Sequence, residues 1–345
     1  MKGRTLSGVV SLVLAALLLV VAPCAASGRQ EWSPYERPPQ FEVVTENEVA
    51  IPMSDETVLR AKVLRPAAPG RYPVIVTQTP YNKATPLGAA NEYLVKRGYV
   101  HVVVDVRGTG SSEGSWDSFG PAEQADGPEI VAWTRRQPWS NGKVGLFGAS
   151  YMGLTQLYTA AQQPKGLKAI FPVVPLADGY RDIVFSGGQV NVSFIPLWLG
   201  LVSAGGVLPP ALVDPAASPA EQVQNLLITV NTLLSHVTGV TDFQTKVIVD
   251  ALLGGDTAFD GPFWKTRSPL EVVDDIEVPT FVVGGLHDLF QRGEPLIYER
   301  LKDRVNARLL MGPWTHLGGS TGAGLPADGV PSLDALALRW FDRYL

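Results

Sequence analysis

Short runs of Val, Ile, Leu and Phe recur along the chain at 73–77, 100–106, 144–147, 169–174, 280–283 and 308–311. Runs of this length and character suit parallel strands buried on both faces of a sheet. Between them, apolar positions recur at helical spacing over 90–96, 122–134, 152–162, 295–302 and 334–344. Such an alternation predicts a doubly wound, mostly parallel sheet with crossover helices on both sides. Ahead of it, 41–50 and 57–64 read as two strands with Asp55 near the turn between them. An antiparallel opening pair is not how a dinucleotide-binding sheet begins.

The rhythm breaks at 180–264. Apolar runs at 194–202, 226–234 and 247–253 are separated by turns such as Gly205-Gly206 and Pro209-Pro210, with no buried-strand pattern. A structureless loop of that length is improbable in a compact domain, so a mostly helical cap inserted over the sheet is expected. The expected layout is therefore a catalytic domain formed by 41–179 and 265–345, with 180–264 as the cap.

Composition changes this picture little. Of 345 residues, 46% are hydrophobic and 18% charged, which excludes a disordered chain. The net charge is -5 with no run of basic residues, so nucleic-acid binding has no electrostatic support. The N-terminus is more informative. Lys2 and Arg4 precede an uncharged apolar stretch, 6–21, and then the small residues Ala22, Ala25, Ala26 and Ser27, the layout of a secretory signal peptide spanning about 1–27. Residues 28–40 read as a linker, and the protein is expected to be secreted or extracytoplasmic. Two alternatives stay open: retention of the segment as a membrane anchor, which alone would provide a stable membrane association, and lipidation at Cys24, which the preceding Pro23 disfavours. Cys24 is the single cysteine, so a chain cleaved after it has no disulfide and depends on packing for its stability. The four histidines are too scattered to suggest a metal site.

The strongest chemical signal is Lys143-Val144-Gly145-Leu146-Phe147-Gly148-Ala149-Ser150-Tyr151-Met152-Gly153. A buried strand runs into Gly-x-Ser and directly into a helix, the setting of a nucleophile elbow, whose crowded turn demands small neighbours around the serine. It also aims the Tyr151 backbone N–H at the space before Ser150, where a developing oxyanion is stabilised. A serine hydroxyl needs a base, and the base an orienting acid. Asp288 follows the strand at 280–283, and His316 follows that at 308–311, both at carboxyl ends where such sheets gather their catalytic groups. The order Ser150, Asp288, His316 is that of the α/β-hydrolase fold. His287 is a rival base, but as the neighbour of Asp288 it points elsewhere; His101, in a strand, and His236, in the cap, read as structural. Asp274 and Asp275 precede their strand and are poor candidates for the acid.

The segments Gly148-Ala149-Ser150-Tyr151-Met152-Gly153, Gly285-Leu286-His287-Asp288 and Gly312-Pro313-Trp314-Thr315-His316 together resemble the CocE/NonD family of serine hydrolases, which is related to X-Pro dipeptidyl-peptidases and α-amino acid ester hydrolases. Thr79-Pro80-Tyr81-Asn82-Lys83, Asp105 to Gly114, Phe263 to Pro269 and Leu338 to Asp342 extend the resemblance over roughly 42–345. In the nucleophile elbow itself, the glycine usual two positions after the serine is replaced by Met152, with Gly153 one step later. The resemblance implies that the Tyr81 phenol donates to the oxyanion beside the Tyr151 N–H. It also implies a serine hydrolase acting on a small-molecule ester or amide without cofactor or metal, through an acyl-enzyme on Ser150. An X-Pro dipeptidyl-peptidase or an α-amino acid ester hydrolase is the alternative, either of which needs carboxylates to grip a free amine; Asp178, Asp182, Asp256 and Asp260 are candidates. A non-catalytic binding protein on the same fold is a further alternative. Family members usually continue past 340–342 into a β-sandwich resembling a jelly roll, so the chain is expected to be a short form or a piece of a longer one, and self-association is expected where that domain would pack.

Overall fold

The structure, a computed structural model, describes residues 32–33, 35–88, 90–212 and 216–345. The segment read as a signal peptide, and the first residues of the linker, lie outside the described residues. One eight-stranded sheet organises the chain from Glu36 onward. Its strands are β1 (Val43–Pro52), β2 (Val58–Pro66), β3 (Tyr72–Thr79), β4 (Val100–Asp105), β5 (Ser140–Ala149), β6 (Leu167–Val173), β7 (Thr280–His287) and β8 (Ala307–Thr315), in the spatial order β1-β2-β4-β3-β5-β6-β7-β8. The first two pair antiparallel, β2 joins β4 antiparallel, and every later pairing is parallel. Each strand expected from an apolar run is present, and the sheet is the mostly parallel one of an α/β-hydrolase.

The helices are α1 (Glu92–Val95), α2 (Pro121–Arg135), α3 (Tyr151–Ala161), α4 (Phe194–Val202), α5 (Pro219–Gly239), α6 (Lys246–Leu253), α7 (Pro262–Thr266), α8 (Gly293–Leu301), α9 (His316–Thr321) and α10 (Leu333–Tyr344). The sheet is covered on both faces, which is why its central strands are apolar at successive positions rather than alternating. On one face Ile130 and Val131 of α2, Leu157 of α3 and Ile297 and Leu301 of α8 pack with Val74, Val76, Val102, Val104, Leu146 and Val282. On the other, Phe341 of α10 meets Phe147 and Phe171 edge-on or tilted. Gly145 makes that approach feasible, because a Cβ there would stand 2.7 Å from the Phe341 ring.

Between β6 and β7 the chain leaves the sheet. The described part of 180–264 is helical, comprising α4, α5, α6, the start of α7 and wider π-type turns at Gly179–Val184, Ser203–Val207 and Val240–Thr245. Ser218 and Glu221 form a reciprocal capping box at the start of α5. Buried contacts bind this layer to the sheet's carboxyl end: the His236 ring, held within the layer to Val207 O at 2.9 Å, reaches Ser112 O at 2.7 Å, and Gly110 N donates to Gly206 O at 2.8 Å. His101, buried in β4, binds the Thr77 hydroxyl and the Asn91 N–H, and burial pushes its imidazole down to about 3. Both histidines are thus engaged in holding the fold.

Candidate active site

Ser150 sits between the end of β5 and the start of α3 with φ 57° and ψ −121°. A side-chain-bearing residue adopts that backbone only where its surroundings enforce it. Here they do: the Ser150 N–H donates to Val173 O at 2.8 Å, and α3 begins at the next residue. Gly148 has φ +154°, and a Cβ on it would lie 2.5 Å from Cβ of Met152. The methionine at the position where a glycine is usual is therefore accommodated by the glycine two residues before the serine. The Tyr151 N–H, first in its helix, has no acceptor within that helix.

Asp288 and His316 are brought together by register. Strands β7 and β8 pair Gly285 with Gly312 and His287 with Thr315, so the residues that follow them emerge side by side. Both strands run further than their apolar cores, to His287 and Thr315, because backbone pairing continues through the glycines. The Asp288 carboxylate is buried and accepts the Phe290 N–H at 2.7 Å. Thr315 caps α9, accepting from Gly318 N, and so orients His316. His316 Nδ1 lies 3.0 Å from each Asp288 carboxylate oxygen, and Nε2 lies 2.9 Å from Ser150 Oγ. A carboxylate partner requires the proton on Nδ1, which leaves Nε2 free to accept the serine proton. The Phe290 ring stands edge-on to the imidazole, 4.9 Å between centroids. His287, the rival base, is exposed, and Asp274 is paired with Arg300 before β7 begins.

Tyr81 is held in a loop that its neighbours anchor. Lys83 is buried, its ammonium 2.8 Å from Asp105 and 2.9 Å from Glu48. The Tyr81 hydroxyl accepts from Trp198 Nε1 at 3.1 Å; burial raises its pKa, which that bond and the nearby Ser150 side chain oppose. The phenol thus faces the nucleophile. The Tyr151 side chain turns the other way, donating to Glu123 at 2.6 Å and accepting from Trp116 Nε1 at 3.0 Å, with Phe119 stacked on its ring at 4.0 Å. Burial lifts the Glu123 carboxyl to about 8, against the hydrogen bond from Tyr151.

In front of Ser150 opens a cavity of about 270 Å³. Its walls come from both layers, including Phe119, Leu154 and Phe290 below and Ile195, Trp198 and Ile248 above. None of the described lining residues is Asp or Glu; the single charged one is Arg267, tied to Asp117 O, Ser118 O and Phe263 O and stacked over the Phe263 ring. The aspartates considered as amine grips are elsewhere. Asp178 caps the turn at Gly179–Val184 and pairs with Arg181, as does Asp260; Asp182 accepts from Ala177 N and Asp178 N and pairs with Arg292; Asp256 is exposed. Apart from those aspartates, sequence reasoning named no individual cap residue for the site. Trp198, Ile195 and Ile248 lie in apolar runs, and only the packing shows which of their faces meets the nucleophile.

A model of the X-Pro dipeptidyl-peptidase (S15) family matches residues 55–318. The chain belongs to that family. Cocaine esterase of Rhodococcus sp. is 31% identical over 286 residues, covering 78% of this chain and 48% of that protein. The chain thus spans about half the length of that relative. Among solved structures, an α-amino acid ester hydrolase superposes with a TM-score of 0.65 at 22% identity, over 94% of this chain and 57% of that one. A CocE/NonD family hydrolase from Staphylococcus aureus does so at 0.61 and 22% identity, over 88% and 51%. These likenesses establish the α/β-hydrolase fold and agree with the resemblance carried by the sequence motifs.

Proposed function

We propose that this chain is a serine hydrolase that cleaves esters of apolar acyl groups through a covalent intermediate on Ser150. The observation that carries the reading is the unbroken relay from Asp288 through His316 to Ser150 on a strained elbow. Ser150 Oγ attacks the acyl carbon while its proton passes to His316 Nε2, and Asp288 stabilises the imidazolium. The carbonyl oxygen becomes an oxyanion between the Tyr151 N–H and the Tyr81 hydroxyl. The ester C–O bond then breaks, and the alcohol leaves with the proton from His316. Water repeats the sequence on the acyl-enzyme: one proton goes to His316, the hydroxide oxygen bonds the acyl carbon, and Ser150 leaves reprotonated with the acid as product.

An apolar acyl group is favoured over an amino-terminal dipeptide or an α-amino acid ester by the cavity itself. A free ammonium needs a carboxylate or a cage of carbonyls, whereas this pocket is lined mostly by hydrocarbon, with no carboxylate among its described lining residues and its one guanidinium already engaged. Comparing p-nitrophenyl butyrate with Gly-Pro-p-nitroanilide tests this: the ester is hydrolysed at least a hundredfold faster, and preference for the anilide refutes the choice. We propose also that the chain is exported, its N-terminal segment removed near Ala26 or Ser27; intact-mass measurement of protein recovered outside the cytoplasm, starting at Met1, would refute it.

A further inference from the structure

The Tyr81 hydroxyl has one proton and can accept two hydrogen bonds. An indole N–H can only donate, so the bond of 3.1 Å between Trp198 Nε1 and Tyr81 Oη has a fixed direction: the phenol oxygen accepts and its proton must go elsewhere. The indole occupies one side of the phenol oxygen, so the proton is left for the other side. The Ser150 side chain lies near that hydroxyl and lowers its pKa, and on the reading of Tyr81 as an oxyanion donor the free side is where the oxyanion forms. Trp198 belongs to α4, in the helical layer over the sheet, and lies 117 positions from Tyr81. Its ring is fixed by packing, tilted against Trp116 at 5.6 Å and stacked with Tyr151 at 6.3 Å. Accepting one hydrogen bond polarises an O–H and makes it a better donor for the next.

From this geometry we infer that Trp198 is a positioning residue: its indole N–H sets the direction of the Tyr81 proton, and it ties completion of the oxyanion hole to the seating of α4. The inference rests on the reading of Tyr81 as an oxyanion donor and goes beyond it in naming the residue that aims it. Trp198 also lines the cavity, so two roles must be told apart. A wall residue acts on substrate binding in general; a residue that acts through Tyr81 has no further effect once the Tyr81 hydroxyl is gone.

The test is a cycle of four proteins, the full chain and its Trp198→Phe, Tyr81→Phe and doubly substituted variants, assayed for kcat and KM on p-nitrophenyl butyrate. Phenylalanine keeps a ring in the wall and deletes the N–H. Expected are a fall in kcat of about 3- to 10-fold for Trp198→Phe, the worth of one hydrogen bond, with KM moved less than twofold. The double variant should be no slower than Tyr81→Phe alone. Trp198→His, which returns a ring N–H, should recover part of kcat, and Trp198→Leu, which also lacks the N–H, carries the cycle should the phenylalanine variant not fold. Multiplying effects in the double variant, or a change confined to KM, overturns the inference. An undiminished kcat in Tyr81→Phe instead overturns the reading of Tyr81 on which it rests, a distinguishable failure.

Discussion

Glu123 offers a quantitative consequence. Its carboxyl is fully buried beneath the residue that follows the nucleophile, accepting from the Tyr151 hydroxyl and, at 3.1 Å, from the Phe119 N–H. Burial raises its pKa from the ordinary 4.5 to about 8. Between those values the folded protein holds a proton that the unfolded chain has released, so stability falls as pH rises through this window. From pH 5 to pH 8 this one group removes about 3 kcal/mol, integrating the difference in proton occupancy at about 1.4 kcal/mol per pH unit. Glu294, buried with its pKa pushed to about 9, acts in the same direction. The perturbation is Glu123→Gln. Its amide oxygen still accepts from Tyr151 and Phe119 with nothing to ionise. Guanidinium unfolding at the two pH values is the assay. The variant should lose less stability than the parent between pH 5 and pH 8, by about 3 kcal/mol, its residual slope set by the remaining shifted groups, Glu294 and Asp126 in the same direction and His101 in the opposite one. Equal losses in the two proteins would show that Glu123 is charged in the fold and refute the reasoning.

Other substitutions probe the relay and the pocket. Asp288→Asn keeps the shape but allows His316 the wrong tautomer, and kcat for p-nitrophenyl acetate should fall by about 10³- to 10⁴-fold with KM little changed. Tyr81→Phe removes one oxyanion donor, and a kcat loss of about 10²-fold is expected with the burst of acyl-enzyme formation slowed. Across acetate, propionate and butyrate esters, kcat/KM should climb about threefold per methylene as the chain enters the apolar cavity. Filling that cavity by Ile248→Trp should flatten the series while leaving acetate hydrolysis within about threefold of the parent.

Much of this architecture is legible in the sequence because a doubly covered sheet leaves an unambiguous trace. Val100 to Val104 has no polar side but His101, and only a strand buried on both faces explains that. The helices declare themselves through faces such as Leu336, Ala337, Trp340 and Phe341, buried against the sheet. Strand ends are less legible: β7 runs on through Gly284, Gly285 and the exposed Leu286 to His287, where no buried apolar side chain marks it, since pairing with β8 needs only the backbone. At the site, Ser150, Asp288 and His316 stand at strand ends that the pattern reveals. The aromatic wall above Ser150 is not legible in the same way. Whether Trp198 meets Tyr81 or solvent depends on how the inserted helices seat on the sheet, and exposed neighbours such as Leu197 and Leu201 have the same apolar character. Glu123 is likewise indistinguishable in sequence from a solvated helix acid, because its burial depends on the Phe119 and Tyr151 rings closing over it.

The central claim is that Ser150 is the nucleophile of an ester hydrolase, and its most direct test is hydrolysis of p-nitrophenyl butyrate by the full chain beside Ser150→Ala, with both proteins shown to unfold at the same temperature. The account predicts turnover in the parent and its loss, by at least about 10³-fold, in the variant. Equal rates in the two, or no turnover by a folded parent, would contradict it.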